Sequence, residues 1–297
     1  MSKHTFGQWL TAIRPWSFPA STMPVLVTVA YLFWRGAEID WLLSLWAIVN
    51  IVVFHAAGNV WSDYFDYRKG LDRIDTFGSR ILTDKIFSKT EILTLAIVLL
   101  TAAVAGGIGL VLMCGLPVLW IGIAGFVLTV SYPFLKFNAL GDIDILLVYA
   151  FLPTIGTSFV ASGGIDWSVL MIALPIGLIT DGILHANNTR DIAHDKRANI
   201  STFAMVLGHK AAAYLYWVEM VLPYIWLAGL SIFNVLPVYT VFVFLTFPVA
   251  LGCARTMIKS VTGGTEMIAD LDIRTANLQL MFSVLLAISF VLAGFIA

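Results

Sequence analysis

Two short clusters of amide and carboxylate side chains carry most of the chemistry that this sequence offers. Each has one asparagine followed at helical spacing by two aspartates: Asn59, Asp63 and Asp66 in the first, and Asn187, Asp191 and Asp195 in the second. At 3.6 residues per turn, the members of the first cluster fall within about 60° of one another, and those of the second within about 80°. Each cluster therefore predicts a polar stripe along one face of a helix.

Carboxylates in this arrangement need a cation between them to offset their mutual repulsion. Like charges one turn apart repel each other and weaken a helix, and carboxylates near a helix C-terminus oppose its dipole. Hard divalent ions such as Mg²⁺ bind carboxylate, amide and phosphate oxygens, and Mg²⁺ commonly bridges a few carboxylates to substrate phosphates. The two stripes therefore predict a site for Mg²⁺ and a diphosphate.

Long apolar segments must position these clusters. A helix needs about 20 apolar residues to cross the hydrocarbon core of a membrane, which is ~30 Å thick. Nine segments of the 297-residue chain approach or meet that length: 18–35, 41–59, 92–112, 116–134, 143–162, 167–189, 211–232, 235–256 and 276–296. The clusters lie at the ends of the second and sixth segments. The sequence thus predicts an all-α, polytopic membrane protein with nine spans.

Basic residues are distributed asymmetrically between the loops. With nine spans, every Lys and Arg except Arg35 falls on one side of the membrane. The positive-inside rule makes that side cytoplasmic, so the N-terminus is expected in the cytoplasm and the C-terminus outside. Both clusters then lie at the cytoplasmic face, together with basic side chains that could hold phosphate oxygens: Arg68, Lys69, Arg80, Lys136, Arg190 and Arg197. We expect residues 1–297 to form one transmembrane domain without a cleavable signal peptide.

The composition excludes several classes of protein. Hydrophobic residues make up 60% of the chain and charged residues only 12%, which is unlike an ordinary soluble domain. The net charge of -1 gives no overall basic field, so no nucleic-acid partner is expected. The two cysteines, Cys114 and Cys253, lack the spacing of a zinc site and are interpreted as small apolar helix residues.

The remaining polar residues inside the spans are interpreted mainly as structural. His55 and His185 are expected to be hydrogen-bonded helix residues, and Glu219 to pair within the bundle. Asp181, one turn before His185, could support the second cluster. The glycine-rich segment 106–109 lacks the strand-turn-helix context of a nucleotide-binding loop, so it predicts close helix packing instead.

Several motifs resemble those of the UbiA superfamily of intramembrane prenyltransferases, and most of all its 1,4-dihydroxy-2-naphthoate (menaquinone-type) branch. They are the N-terminal segment 12–21 (AIRPWSFPAS), the first aspartate-rich motif at 59–72, the connection at 132–142 and, most specifically, residues 185–195 (HANNTRDIAHD). The superfamily is similar in fold to all-α prenyl diphosphate synthases. The resemblance therefore implies nine transmembrane helices around a central cavity, with cytoplasmic cap loops.

The resemblance also implies roles for individual side chains. Mg²⁺ and the diphosphate would be held by the two stripes, that is by Asn59, Asp63, Asp66, Asn187, Asp191 and Asp195. Further contacts to the diphosphate would come from Lys69, Arg80, Lys136, Asn188 and Arg190. The broad superfamily pattern places the last acid of the first motif at 67, where this chain has Tyr67, so Asp66 takes that role here. Asp72 and Asp142 are candidates for a catalytic role in deprotonating the acceptor.

The implied activity is Mg²⁺-dependent transfer of a polyprenyl group from a prenyl diphosphate to an aromatic acceptor. The expected acceptor is 1,4-dihydroxy-2-naphthoate in menaquinone biosynthesis, and the expected place is the inner cell membrane with the site facing the cytoplasm. A prenyltransferase of the same superfamily with another acceptor is an alternative. A membrane transporter is a second alternative, although transporters usually bind their substrates near the bilayer midplane in broken helices. A CDP-alcohol phosphotransferase is disfavoured, because its long acidic motif is absent from the sequence.

Overall fold

The described part of the chain, residues 4–71 and 80–296 of a computed structural model, is almost entirely helical. No β-strand occurs within these two ranges. The α-helices are α1 (Phe6–Ile13), α2 (Pro19–Trp34), α3 (Trp41–Lys69), α4 (Lys89–Cys114), α5 (Leu116–Lys136), α6 (Gly141–Leu146), α7 (Leu152–Ser162), α8 (Leu170–Arg190), α9 (Ile192–Arg197), α10 (Phe203–Leu207), α11 (His209–Ile232), α12 (Phe247–Gly263) and α13 (Leu271–Ile296).

Eight of the described helical segments are long and apolar enough to cross a membrane. A ninth span results when Phe6–Ser17 and Pro19–Trp34, which meet at a bend of 48°, are taken together. The bend follows from Arg14, whose φ of 54° is left-handed, and from Pro15 and Pro19, which lack a backbone N–H. The predicted all-α, polytopic membrane fold is thereby confirmed.

The helix that carries the first cluster has clear start and stop signals. The Asp40 side chain accepts a hydrogen bond from the backbone N–H of Leu43 at 2.9 Å and caps the start of α3. At the other end, Gly70 adopts a left-handed conformation with φ of 79° and ends the helix. α3 therefore continues past the predicted span end at residue 59, which keeps the whole first cluster helical.

Close packing between α3 and α4 depends on two glycines. A methyl group added at Gly106 would collide with the side chain of Asn50, and one added at Gly109 would collide with the ring of Trp46. Small residues allow membrane helices to approach one another closely. The prediction that segment 106–109 serves helix packing is confirmed.

The span that carries the second cluster lies in the interior of the bundle. In Trp167–Arg190, 72% of the most apolar 18-residue stretch is buried, a larger share than in any other described span. α8 packs against α11 and α13. The His185 imidazole and the Glu219 carboxylate join α8 to α11 at 2.8 Å, as predicted for both residues. The second cluster therefore lies at the end of the most buried of the described spans.

One span is interrupted by a widened turn. Helices α6 and α7 are joined by a π-helical turn at Leu147–Phe151, so that Gly141–Ser162 forms a single span. Such turns inside α-helices frequently occur at functional sites. Two consecutive residues of this turn, Val148 and Tyr149, both line a cavity in the interior of the bundle.

Candidate active site

A cavity of about 660 Å³ lies between the ends of the two spans that carry the acidic clusters. We call it the main cavity. Ten of the predicted site residues line it: Asn59, Asp63, Asp66, Arg80, Lys136, Asn187, Asn188, Arg190, Asp191 and Asp195. The structure therefore brings both clusters to one cavity, which the diphosphate hypothesis requires.

The first wall is formed by α3 and the turn before α2. The Arg14 guanidinium pairs with the Asp63 carboxylate, which is only 3% exposed, and also donates to the Asn59 carbonyl at 3.3 Å. The Asn59 side-chain nitrogen donates to the Ile13 carbonyl and the Ser17 hydroxyl, each at 3.0 Å. These contacts hold the N-terminal segment against α3 and leave the Asn59 amide oxygen as the side-chain atom suited to a cation.

The second acid of this wall has a lysine partner from a neighbouring span. Lys136 Nζ, at the end of α5, lies 3.2 Å from Asp66 Oδ2, and the Ser62 hydroxyl donates to the same oxygen at 3.2 Å. The other carboxylate oxygen, Asp66 Oδ1, is buried and accepts no hydrogen bond from the described residues. A buried carboxylate oxygen in this state is a ready ligand for a cation.

The opposite wall differs from the prediction in one respect. The helix carrying Asn187 ends at Arg190, and Asp195 belongs to the separate short helix α9, so the expectation of one continuous helical stripe is wrong. Asp191 stands at the break with φ of −94° and ψ of 6°. The break is slight, because the Asp191 N–H still bonds the Asn187 carbonyl and the Asp195 N–H still bonds the Asp191 carbonyl, both at 2.9 Å. All three side chains therefore still line the main cavity.

The Arg190 guanidinium and the Asp195 carboxyl are the two groups of this wall with the strongest electrostatic interactions. The Arg190 guanidinium donates to both oxygens of Asp191 at 2.9 Å and lies 3.3 Å from the Asp272 carboxylate at the start of α13. Burial raises the pKa of Asp195 to about 7; Lys136 opposes the shift, and the carboxylates of Asp191 and Asp66 add to it. An additional cation close to Asp195 would favour its ionised form.

The donor set fits Mg²⁺ that is shared with a diphosphate, rather than a metal held by protein alone. Among residues 4–71 and 80–296, no three acidic, His or Cys side chains are placed to hold a metal ion by themselves. Asp63, Asp66 and Asp191 each have a basic partner instead. Mg²⁺ is commonly bound by one or two carboxylates together with waters and substrate phosphates, and the carboxylate and amide oxygens on both walls meet that need.

Four described residues with a predicted role do not line the main cavity: Arg68, Lys69, Arg197 and Asp142. The first three are exposed. Asp142 is buried but lies within the field of His185 and Glu219 instead; Asp144, two residues further along α6, lines the main cavity. Asp72 lies outside the described residues. Catalytic roles for Asp72 and Asp142 and a phosphate contact by Lys69 stay predictions.

Several residues of the main cavity have no predicted role in the sequence analysis, among them Arg14, Asp272, Tyr132 and Tyr149. Arg14 belongs to the motif at 12–21, and its place directly before Pro15 is typical of a turn from which a side chain can leave the helix axis. Asp272 lies before the predicted last span, and no motif marks it. Tyr132 and Tyr149 line the main cavity as well, but the sequence alone offers no way to separate them from other aromatic residues of the spans.

An all-α membrane bundle with a cavity lined by paired acidic and basic side chains is typical of intramembrane enzymes that act on diphosphates. Residues 22–271 match the UbiA prenyltransferase family, and the chain belongs to that family. The expectation of a prenyltransferase is confirmed at this level. The match names no acceptor, so the naphthoate branch stays a prediction.

Relatives and solved structures agree with this assignment. The chain is 33% identical over 225 residues to the UbiA prenyltransferase domain-containing protein 1 homolog of Drosophila melanogaster. The matched region covers 73% of this chain and 62% of that protein. It is 30% identical over 302 residues to the UbiA prenyltransferase domain-containing protein 1 of Xenopus tropicalis, covering 98% of this chain and 84% of that protein.

The fold is similar to that of two archaeal UbiA homologs. The apo structure from Aeropyrum pernix K1 superposes with a TM-score of 0.71 at 17% identity and covers 94% of this chain and 98% of its own. The structure from Archaeoglobus fulgidus bound to GPP and Mg²⁺ superposes with a TM-score of 0.61 at 13% identity and covers 94% and 99%. At these identities the likeness concerns the fold.

Proposed function

We propose that this protein transfers a polyprenyl group from a prenyl diphosphate to 1,4-dihydroxy-2-naphthoate in a Mg²⁺-dependent reaction. The observation that carries the proposal is the meeting of both acidic clusters and their basic partners around one cavity. The similar fold of the Archaeoglobus fulgidus homolog, whose structure holds GPP and Mg²⁺, supports a prenyl diphosphate as the donor. The motif at 185–195, which resembles the naphthoate branch, supports the acceptor.

The ion pairs suggest how the diphosphate is received. Asp63, Asp66 and Asp191 are each neutralised by a basic side chain. Mg²⁺, when bound, supplies the positive charge that stabilises the leaving diphosphate. The acids would then ligate the ion, and the released Lys136 ammonium and Arg190 guanidinium would donate hydrogen bonds to phosphate oxygens. The exchange keeps each buried charge compensated at every stage.

A second cavity provides a place for the prenyl tail. It has a volume of about 390 Å³, lies among α3, α4, α5 and α7, and shares Val148 with the main cavity. We call it the tail cavity. Its lining is almost wholly apolar, with Asn50 and Thr157 as the polar exceptions among the described residues. A tail lying there would keep its allylic end at the main cavity.

The proposed reaction forms one carbon–carbon bond. The C1–O bond of the prenyl diphosphate breaks, and its electron pair leaves with the diphosphate. The electron-rich ring carbon forms a bond with C1, and the attacked carbon then loses its carboxylate as CO₂, whose bonding pair restores the aromatic ring. The rings of Trp16, Tyr132 and Tyr149 line the main cavity and could stabilise the allylic cation through their faces while limiting access of water.

We further propose that the main cavity faces the cytoplasm in an inner cell membrane, with residues 1–297 forming one domain. The support is the asymmetric distribution of Lys and Arg, which puts the N-terminus inside and the C-terminus outside. Cysteine labelling of the tight turn at 163–164 and of the segment 196–199 from either side of sealed vesicles would test this orientation.

The central test is substitution of one acid on each wall. In purified protein given Mg²⁺, geranylgeranyl diphosphate and a panel of aromatic acids, Asp63→Asn and Asp191→Asn should each lower product formation by about 10²-fold or more, because each removes a charged ligand. Asp40→Asn is a matched control, since it lies at the other end of the helix that carries Asp63 and asparagine caps a helix equally well.

Mass spectrometry of the products decides between the alternatives. Prenylated, decarboxylated naphthoate together with released diphosphate supports the proposal, and product from another aromatic acid alone would replace the acceptor. Near-normal turnover by Asp63→Asn or Asp191→Asn would refute the metal-binding role. Uptake of a solute into vesicles without any prenylated product would favour the transporter.

A further inference from the structure

A smaller cavity adjoins the main cavity and differs from it in chemistry. It has a volume of about 220 Å³ and lies among the start of α2, the π-helical turn, α8 and α13. We call it the side cavity. It shares several lining residues with the main cavity, namely Trp16, Tyr132, Ile145, Tyr149, Leu184 and Asn187. Because the two cavities share these residues, a molecule in one lies next to a molecule in the other.

The lining of the side cavity is neutral. No Asp, Glu, Lys or Arg occurs among the described residues that form it. Its polar groups are hydroxyls, an imidazole and amides, and the rest of the surface is aromatic or aliphatic. A diphosphate needs cationic side chains or a metal ion, so this lining does not suit it. A flat ring with few polar substituents suits it well, because sites for such ligands are largely apolar with a few placed polar groups.

One polar side chain in the side cavity has unused hydrogen-bonding capacity. Gln279 on α13 is only 1% exposed, and neither its amide nitrogen nor its amide oxygen has a hydrogen-bond partner among the described residues. A buried amide without partners is unfavourable, and polar residues at membrane depth usually serve function. The amide can donate two hydrogen bonds and accept two. Gln279 therefore has the capacity to recognise a ligand that carries both a donor and an acceptor.

The imidazole in the lining is already engaged. His55 Nε2 lies 3.2 Å from the Ser17 hydroxyl, and His55 Nδ1 lies 2.8 Å from the Ser21 hydroxyl. The ring also packs edge-on against Tyr149, with ring centres 4.9 Å apart. His55 thus forms a fixed aromatic surface, whereas Gln279 is the buried group left to bond a ligand.

We propose that the side cavity binds the aromatic acceptor, with the ring oxygens hydrogen-bonded to Gln279 and the reactive edge of the ring at the residues shared with the main cavity. The inference rests on the proposed function, which requires an acceptor next to the diphosphate. A ring hydroxyl fits, because the amide oxygen can accept a hydrogen bond from it and the amide nitrogen can donate one to it, while the ring carbon that carries the carboxylate faces the main cavity. The volume is below the roughly 300–1,000 Å³ typical of drug-sized ligands, so the side cavity admits one or two fused rings.

The test compares the kinetic constants of the two substrates. In Gln279→Leu, we expect KM for 1,4-dihydroxy-2-naphthoate to rise about 10- to 100-fold, the loss expected for one or two hydrogen bonds to the ligand. KM for geranylgeranyl diphosphate should be unchanged. Ser283→Ala is the matched control: Ser283 lies one turn further along α13, is buried, has no hydrogen-bond partner among the described residues and does not line the side cavity.

A second variant keeps the inference testable if Gln279→Leu does not fold. Ile183→Phe adds a ring to the wall of the side cavity from α8 and should also raise KM for the naphthoate selectively. The inference is overturned if the wild type transfers prenyl groups while both folded variants keep the wild-type KM for the acceptor, or if the KM values of both substrates rise together. Failure of the wild type to prenylate any aromatic acid would instead overturn the proposed function.

Discussion

The ion pair between Lys136 and Asp66 offers the sharpest test of how the main cavity is built. Lys136 Nζ lies 3.2 Å from Asp66 Oδ2, and the two side chains are only 20% and 12% exposed. Lys136→Met keeps the length of the side chain and removes its charge. Asp66 then retains a single hydrogen bond from Ser62 and no positive partner in this contact.

The expected loss of stability follows from that burial. Removing one partner of a buried pair costs about 3–5 kcal/mol, because the remaining charge is uncompensated. Since the pair borders a cavity that water can enter, we expect the lower end, about 3 kcal/mol. With roughly 2–4 °C per kcal/mol for chains of this size, the melting temperature should fall on the order of 6–12 °C. Asp66→Asn combined with Lys136→Met should recover about half or more of the loss, because neither charge remains.

Thermal unfolding of four purified proteins in detergent, without Mg²⁺, measures this coupling: wild type, Lys136→Met, Asp66→Asn and the double variant. Repeating the series with Mg²⁺ and inorganic diphosphate should stabilise Lys136→Met, because the ion can replace the lost charge beside Asp66, and should stabilise Asp66→Asn much less. If the two single effects add within about 0.5 kcal/mol, the residues are independent and the reasoning is refuted. Equal stabilisation of all four proteins by Mg²⁺ and diphosphate would place the ion elsewhere.

Two further predictions concern the tail cavity and the end of α3. Gly125 lines the tail cavity, and a Cβ added there meets no atom within 4 Å. Gly125→Leu should therefore fold and keep activity with geranyl diphosphate, but it should lose activity with the longest prenyl donors. An unchanged range of product lengths by mass spectrometry would show that the tail lies elsewhere. Gly70 has φ of 79° with open space around it. Gly70→Ala should therefore lower the free energy of unfolding through backbone strain alone, by about 1 kcal/mol, which is a fall of roughly 2–4 °C in melting temperature. An unchanged melting temperature would mean that the end of α3 relaxes.

The parts of the site that follow helical periodicity could be predicted from the sequence. Asn59, Asp63 and Asp66 lie on one uninterrupted helix, so their spacing fixes their common face. The nine apolar segments and the charge asymmetry were enough to predict that the second cluster lies at the same end of the bundle. Both inferences depend only on local geometry and on the thickness of a membrane.

The remaining features depend on tertiary contacts, and the sequence does not encode them locally. Arg14 reaches Asp63 only because a left-handed turn before Pro15 folds the N-terminal segment against α3. Asp144 rather than Asp142 lines the main cavity because the packing of α6 against α8 sets the rotation of that short helix. The break at Asp191 lacks a glycine or proline signal, so periodicity alone predicts a continuous helix there.

The π-helical turn at Leu147–Phe151 borders all three cavities. Val148 borders the main and tail cavities, while Tyr149, the next residue, borders the main and side cavities. A deletion within this turn would rotate the following helix by about 100° and change both borders at once. Substitutions that lengthen the accepted donor near this point are therefore expected to alter the choice of acceptor as well, so the two specificities cannot evolve independently there.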